Sequence, residues 1–216
     1  PDLIILPGTK STISDLLYLW RSGLAEDIIQ QARNGVPVVG ICGGYQILGR
    51  SLHDPGGIES SEDSALGLGL LDMTTTFTPG KSTTQVRARV AANHGLLKEM
   101  KGQELVGYEI HMGQTENIGD MSAFHIFETP QGKTDYSDGT LNAQGMVLGT
   151  YLHGLFHNFG FSRTLLNFLR RRRGLPQRSG GATMGKEQQY DRLAELVRRS
   201  LDMAAIYKIM DEGIKA

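Results

Sequence analysis

The fold of this chain is decided by the stretch Gly40–Gln46, which reads Gly-Ile-Cys-Gly-Gly-Tyr-Gln. It follows Val36–Val39, a short apolar run of the kind that forms a strand buried on both faces. Residues Tyr45–Leu52 then carry isoleucine and leucine at helical spacing. Cys42 is therefore predicted to lie on a sharp turn between a strand and a helix, which pushes its side chain out of the sheet.

The surroundings of Cys42 favour a catalytic thiol. On such a turn the first backbone N–H groups of the helix face the thiol, and they can stabilise a thiolate or a developing oxyanion. The alternative is a small core residue, which is the more common role of a lone cysteine behind an apolar strand. Glycines at positions 40, 43 and 44 favour the catalytic interpretation, because they remove side-chain cover on both sides of the thiol.

The order of elements in the first part of the chain predicts an α/β fold. Leu3–Leu6 is an apolar strand ended by a Pro-Gly pair, and helices at Ile13–Trp20 and Leu24–Arg33 precede the strand that leads to Cys42. This order is typical of a parallel sheet covered by helices. Ligands bind such sheets beyond the carboxyl ends of the strands, where both the Pro-Gly pair and Cys42 fall.

Later segments predict antiparallel strands, so the sheet should be mixed. His53–Ala65 is rich in Gly, Ser and acidic residues and is expected to form an exposed loop or lid. Ser137-Asp138-Gly139 is a hairpin-turn signal. The predicted strands are Leu66–Phe77 and Gln85–Ala92, separated by Thr78–Ser82, and then Val106–Gly113; a helix at Phe161–Arg173, a linker at Leu175–Lys186 and a helix at Gln189–Met210 follow.

A cysteine nucleophile needs a base, and the base usually comes from a distant part of the sequence. The chain has six histidines. His153 is the best placed, because the apolar run from Met146 delivers it to a strand end followed by glycine, and His111 is the second candidate. The other four are His53, His94 and His157, predicted to face solvent, and His125, predicted to lie in the core or on a strand face.

Composition excludes several classes of function. The 216 residues carry 22 Lys+Arg and 23 Asp+Glu, and a formal charge of -1 gives no general attraction to nucleic acid or anionic membranes. A single cysteine cannot form an internal disulfide, and no apolar run could span a bilayer, so we expect a cytoplasmic protein. We predict no metal site and no ATP site in this chain, because neither metal-ligand spacing nor a phosphate-binding glycine loop is present.

Three segments resemble class I glutamine amidotransferase domains in their order and approximate spacing. The resemblance implies a flavodoxin-like three-layer α/β fold with a mixed, mainly parallel central sheet. Further segments resemble, more narrowly, the carboxy-terminal domain of the cobyric acid synthase family. The class-wide segments are Leu6-Pro7-Gly8, Gly40–Gln46 and Gly149–Gly154, and the narrower ones are Leu6–Thr12, Gly107–Gly113 and Tyr190–Ala194.

The resemblance implies a chemistry for these segments. Cys42 would attack the side-chain amide of glutamine to form a glutamyl thioester and release ammonia. His153 would protonate the departing ammonia and then activate the hydrolytic water. Backbone N–H groups near Gly8 and of Gly43 would form the oxyanion hole, and Gln46 would help to bind glutamine.

The resemblance also implies partners. A synthetase domain of the same polypeptide would use the ammonia, ATP and magnesium to convert carboxylates of adenosylcobyrinic acid a,c-diamide to amides, giving adenosylcobyric acid in cobalamin biosynthesis. No cofactor is implied for the amidotransferase domain itself. We expect this chain to be a fragment that lacks the synthetase domain and the first strand and helix of the amidotransferase fold.

One position departs from the wider class and leaves alternatives open. Many relatives carry a glutamate two residues after the catalytic histidine, where this chain has Leu155. Glu109 is a possible orienting group for His153, and an ordinary strand-edge carboxylate is an equally good interpretation. Other functions that fit are an amidotransferase subunit for a cell-wall precursor, a catalytically silent docking domain and a stand-alone cysteine hydrolase.

Overall fold

A computed structural model describes residues 1–179 and 186–213. These residues divide into two compact units, one within Pro1–Gln177 and the other within Arg178–Ala216. The predicted linker Leu175–Lys186 lies partly outside the described residues, because positions 180–185 are not among them.

The first unit begins with the predicted alternation of strands and helices. Strand β1 and helices α1 and α2 follow the predicted order, and a left-handed Gly23, with φ of 79°, separates the two helices. Strand β2 then leads through Cys42 into the short helix α3. The bounds are Ile4–Leu6 for β1, Thr12–Ser22 for α1, Leu24–Arg33 for α2, Val38–Ile41 for β2 and Gly43–Leu48 for α3.

The rest of the first unit is mostly β-structure and ends in one long helix. Two short 3₁₀ helices lie at Gly95–Met100 and Leu155–His157. The bounds are Ser51–His53 for β3, Ser64–Leu66 for β4, Met73–Val90 for β5, Glu104–Asn117 for β6, Met121–Thr129 for β7, Gly132–Leu141 for β8, Val147–Thr150 for β9, Leu152–His153 for β10 and Phe159–Arg172 for α4.

The described strands form one mixed sheet, as predicted. Its order is β1-β2-β9-β8-β7-β5-β3-β4, and β6 pairs with both β5 and β10. The parallel pairs are β1 with β2, β2 with β9 and β3 with β5; the other pairings among the described strands are antiparallel and come mainly from long hairpins. The parallel strands β1, β2 and β9 carry Cys42 and the segment before His153 at their carboxyl ends.

Helices cover both faces of the parallel strands, which gives the three layers that the resemblance implies. Val38 and Val39 are both fully buried, but they belong to two different apolar clusters because neighbouring strand residues point to opposite faces. The Val38 cluster includes Ile13 of α1 and Ile28 of α2, whereas the Val39 cluster includes Phe161 of α4. Strand β2 is therefore buried on both faces, as its apolar sequence predicts.

Several predicted boundaries are wrong. Helix α3 ends at Leu48 because Gly49 is extended, with ψ of -176°, so Leu52 lies in β3. In the predicted strand Leu66–Phe77, Leu66 ends β4 and the next strand, β5, begins only at Met73. Strand β5 runs on through Thr78–Ser82, where its pairing with β6 shifts register instead of ending.

The hairpin turn predicted at Ser137-Asp138-Gly139 is also wrong. These residues lie inside β8, and the hairpin turn falls instead between β7 and β8 at residues 130–131. Asp138 is tolerated in a strand because it is buried among hydrogen-bond donors, a tertiary effect that outweighs the local preference for a turn.

The second unit contains two helices where one was predicted. Helix α5 spans Lys186–Ser200 and α6 spans Met203–Glu212. Asp202 begins α6 because its carboxylate accepts a hydrogen bond of 3.0 Å from the backbone N–H of Ala205. Within residues 1–179 and 186–213, no helix combines the length and the apolar character needed to cross a membrane.

Candidate active site

Cys42 occupies a strained turn between β2 and α3. Its φ of 53° and ψ of -113° make it the one non-glycine residue with positive φ in the described part of the chain. The Cys42 N–H donates to the carbonyl of Thr150 at 2.9 Å, and the Cys42 carbonyl accepts from the N–H of Gln46 at 3.0 Å. The turn is thereby held both to the strand that precedes His153 and to α3, and such strain is typical of functional positions.

The glycines around Cys42 serve close packing. A Cβ added to Gly44 would lie 2.0 Å from the carbonyl oxygen of Leu6, and one added to Gly40 would lie 2.6 Å from the carbonyl oxygen of Gly44. Backbone therefore lies against backbone where α3 passes β1. The sequence interpretation assigned these glycines to uncovering the thiol, whereas the structure shows that they also let the turn lie directly against the first strand.

Cys42 and His153 meet at one backbone carbonyl. The Cys42 Sγ donates to the carbonyl oxygen of Ile110 at 3.1 Å, and His153 Nε2 lies 3.4 Å from the same oxygen. The ring donates to this carbonyl in the Nε2-protonated tautomer, whereas in the Nδ1-protonated tautomer Nε2 is free to accept a proton. Gly8 borders the same place, since a Cβ added there would lie 3.3 Å from His153 Cε1 and 3.4 Å from Cys42 Cβ. The segment after β1, the turn after β2, strand β6 and strand β10 thus converge at one place.

Gln46 is buried four residues after Cys42 and is held by the protein's own groups. It is 3% exposed, and its Nε2 donates to the carbonyl of Met112 at 3.0 Å and to the hydroxyl of Tyr151 at 3.1 Å. The Thr12 hydroxyl donates to its Oε1 at 3.4 Å. Gln46 therefore ties α3 to α1, to β6 and to the segment before His153, and its role in binding glutamine stays a prediction.

Glu109 does not lie against His153. Its carboxylate is 5% exposed and accepts a hydrogen bond of 2.7 Å from the hydroxyl of Tyr136. In the antiparallel pairing of β6 with β10, Glu109 is opposite Leu152 and Tyr108 is opposite His153. Because side chains alternate along a strand, Tyr108 and not Glu109 reaches the imidazole. The geometry therefore argues against Glu109 as the orienting group of His153.

Comparisons with known proteins identify the family of this chain. The sequence profile described as the CobB/CobQ-like glutamine amidotransferase domain matches residues 1–161. The chain belongs to this family. A cobyric acid synthase of Dehalococcoides mccartyi is 54% identical over 215 residues, covering 100% of this chain and 42% of that protein. A cobyric acid synthase of Sorangium cellulosum is 46% identical over 221 residues, covering 97% of this chain and 42% of that protein.

The amidotransferase fold is also found among solved structures. The structure of PurLQS from Thermotoga maritima matches with a TM-score of 0.57 at 21% identity, covering 78% of this chain and 80% of that chain. This likeness supports the fold alone. The resemblance drawn from the motifs is confirmed at the level of the family, and the chain spans less than half the length of the two cobyric acid synthases.

The remaining histidines of the amidotransferase domain have other surroundings. His111 stacks on Tyr151, with ring centroids 4.1 Å apart, and its Nδ1 lies 3.3 Å from the Gly113 carbonyl oxygen. His94 was predicted to face solvent, but it is half-buried and its Nε2 lies 3.3 Å from a backbone carbonyl. His53 and His157 are exposed, and His125 lies on the face of β7.

Asp138 is a residue of the amidotransferase domain that sequence analysis missed. Its buried carboxylate accepts hydrogen bonds from the Thr150 hydroxyl and from the Tyr151 N–H, the latter at 3.1 Å. Thr150 in turn accepts from the N–H of Leu152 at 3.0 Å. Asp138 therefore braces the segment that carries His153. No sequence signal distinguished it, because a Ser-Asp-Gly sequence is typical of a turn.

Burial raises the pKa of Asp138 from 3.8 to about 6, despite its hydrogen bonds from Thr150 and Tyr151. A carboxyl with a raised folded-state pKa contributes stability that is complete below the unfolded-state pKa and is lost as pH rises through the folded-state pKa. We therefore expect this group to lower the unfolding free energy of the wild-type protein by about 3 kcal/mol as pH rises from roughly 4 to 7. The Asp138→Asn variant, which lacks the titrating group, should not show this loss.

The measurement for Asp138 is urea denaturation of wild-type and Asp138→Asn chains across this pH range, followed by fluorescence of the single tryptophan, Trp20. The contributions of all other titrating groups to the pH dependence cancel when the unfolding free energy of one protein is subtracted from that of the other. Parallel curves for the two proteins would contradict the prediction.

The predicted loop at His53–Ala65 is docked onto the domain. Asp54 is fully buried and accepts 2.8 Å hydrogen bonds from the N–H groups of Ile58, Glu59 and Ser60. The Glu59 carboxylate then accepts from the N–H groups of Thr12 and Ile13 at the start of α1. A negative charge is favourable at a helix N-terminus, so the loop is held in place beside the segment that follows Gly8.

The described side chains offer no candidate metal centre, since no group of three or more His, Cys, Asp or Glu residues is gathered closely enough to hold an ion.

Proposed function

We propose that this domain hydrolyses glutamine and supplies the ammonia to an amide-forming synthetase. The observation that carries the proposal is the shared contact of Cys42 Sγ and His153 Nε2 with the Ile110 carbonyl, beside Gly8. A thiol on a strained turn and an imidazole near it are the nucleophile and the base that a covalent acyl transfer needs. Membership of the glutamine amidotransferase family supports the choice of glutamine as the acyl donor.

The first half-reaction forms a thioester. The imidazole of His153 takes the proton of the Cys42 thiol, and Sγ attacks the side-chain carbonyl carbon of glutamine. The backbone N–H groups near Gly8 and of Gly43 stabilise the oxyanion of the tetrahedral intermediate. When the carbon–nitrogen bond breaks, the imidazolium gives its proton to the leaving nitrogen, which departs as ammonia.

The second half-reaction restores the enzyme. His153 takes a proton from water, and the resulting nucleophile attacks the thioester carbonyl. The carbon–sulfur bond breaks, the thiolate of Cys42 recovers its proton, and glutamate is released. The sum is glutamine plus water giving glutamate plus ammonia.

The relatives support a proposal for the wider reaction. Their name and their greater length support a synthetase part of the same polypeptide. We propose that this part uses the ammonia together with ATP and magnesium. The substrate of that part would be adenosylcobyrinic acid a,c-diamide, and its product adenosylcobyric acid, in cobalamin biosynthesis. We propose a cytoplasmic enzyme whose amidotransferase domain itself uses no cofactor.

Labelling with 6-diazo-5-oxo-L-norleucine, an electrophilic analogue of glutamine, tests the proposal. We expect one adduct per chain on Cys42, because the thiol attacks the analogue as it attacks glutamine. Peptide mass spectrometry locates the adduct. Excess glutamine should slow its formation, whereas excess 4-carbamoylbutanoate, which is glutamine without the α-amino group, should not. Labelling that is insensitive to glutamine would refute a glutamine-binding pocket around this thiol.

A further inference from the structure

We propose that Tyr108 is the positioning residue of His153 and holds the imidazole by ring stacking. This inference rests on the proposed role of His153 in glutamine hydrolysis. Among the described residues, no carboxylate hydrogen-bonds to the His153 ring: its recorded contacts are the Ile110 carbonyl and the ring of Tyr108. We assign to the aromatic ring, which lies over the face of the imidazole, the orienting role that a carboxylate has in other acid–base pairs.

The stack of Tyr108 on His153 is nearly parallel. The ring centroids lie 5.3 Å apart and the ring planes differ by 5°. The two residues are direct partners in the antiparallel pairing of β6 with β10, so their side chains project from the same face of the sheet. A parallel neighbour of this kind resists rotation of the imidazole about its bond to Cβ, which is the freedom that a hydrogen-bonded carboxylate removes in other acid–base pairs.

The backbone around Tyr108 is fixed against the strand that carries His153. A Cβ added to Gly107 would lie 2.4 Å from the His153 carbonyl oxygen, so the two strands approach closely at this point. The Asn158 side chain also binds both backbone groups of Val106, accepting from its N–H at 2.9 Å and donating to its carbonyl at 3.0 Å. Tyr108 is thus held in a defined position over the imidazole.

The face of Tyr108, and not its hydroxyl, is the part that contacts His153. An aromatic face also attracts a cation, so it favours the imidazolium that forms when His153 takes a proton. The Tyr108 side chain is otherwise 40% exposed, which leaves room for larger or smaller rings. A phenyl ring should therefore replace the phenol, whereas an aliphatic side chain should not.

The test uses the full-length protein and compares Tyr108→Phe, Tyr108→Leu and the control Val106→Ala. Val106 lies two residues away on the same strand and is 64% exposed. We expect Tyr108→Leu to lower kcat for glutamine hydrolysis by about 10- to 100-fold at an almost unchanged KM, because the base is misaligned while the substrate still binds. Tyr108→Phe and Val106→Ala should keep wild-type kcat, and all three should keep ammonia-dependent synthesis.

Two kinetic results would overturn the proposal: an unchanged kcat in Tyr108→Leu, or an equal loss in Tyr108→Phe, which would assign the effect to the hydroxyl. Absence of glutamine hydrolysis in the wild-type protein would instead refute the proposed function. In that case crystal structures of wild type and Tyr108→Leu still decide the inference, because the His153 ring should change orientation in the variant. A ring left in place by the substitution would overturn the positioning role.

Discussion

Cys42→Ala is expected to abolish glutamine-dependent amidation by the full-length protein and to leave ammonia-dependent amidation at the wild-type rate. Removing the nucleophile from a covalent mechanism costs about 10⁴-fold or more in rate, because the thioester cannot form. Ammonia added from solution bypasses this step and reaches the synthetase directly. Product formation from labelled corrinoid, measured with glutamine and then with ammonium chloride as nitrogen donor, distinguishes the two routes.

Alanine is the matched substitution at this turn. Cysteine already holds φ of 53° with a Cβ present, so alanine adds no backbone strain and removes only the sulfur. An unchanged melting temperature would confirm that the turn between β2 and α3 is intact. Loss of both the glutamine-dependent and the ammonia-dependent rates would make the role of Cys42 structural.

His153→Ala is expected to lower the rate of glutamine hydrolysis by about 10² to 10⁴-fold with little change in stability. The imidazole is half-buried and its main packing partner is the exposed ring of Tyr108, so its removal leaves the apolar clusters intact. Any thioester that forms should persist, because no base activates water, and intact-protein mass spectrometry after glutamine addition should detect it.

The control for His153 is His157→Ala, an exposed histidine four residues further along the chain. It should hydrolyse glutamine at the wild-type rate. If both variants lost activity to the same extent, the effect would be general to this segment and the assignment of the base to His153 would fail.

Local signals were enough to place the thiol but not the strand that covers it. The apolar strand at Val38–Ile41 and the glycines after it are contiguous in sequence, so the turn at Cys42 could be predicted. The stacking of Tyr108 on His153 depends on the register of β6 against β10, which pairs two residues more than 40 positions apart in the sequence. A shift by one residue would have brought Glu109 to the imidazole, and nothing local in the sequence fixes that register.

The same reasoning explains the errors at Asp138 and Thr78–Ser82. Both segments carry turn-forming residues, and both lie within long strands. Asp138 is buried against Thr150, the last residue of β9, and Tyr151, which follows it. Local propensity cannot anticipate such partners, since they exist only after the sheet has assembled.

Strand β6 contacts three parts of the candidate site at once. One short piece of it supplies the acceptor for the thiol at Ile110, the cover for the imidazole at Tyr108 and an anchor for Gln46 at the Met112 carbonyl. These three elements cannot drift independently, since they share a single stretch of backbone. Substitutions in that stretch should therefore lower turnover more than they lower the melting temperature, and a variant with a normal calorimetric transition can still be inactive.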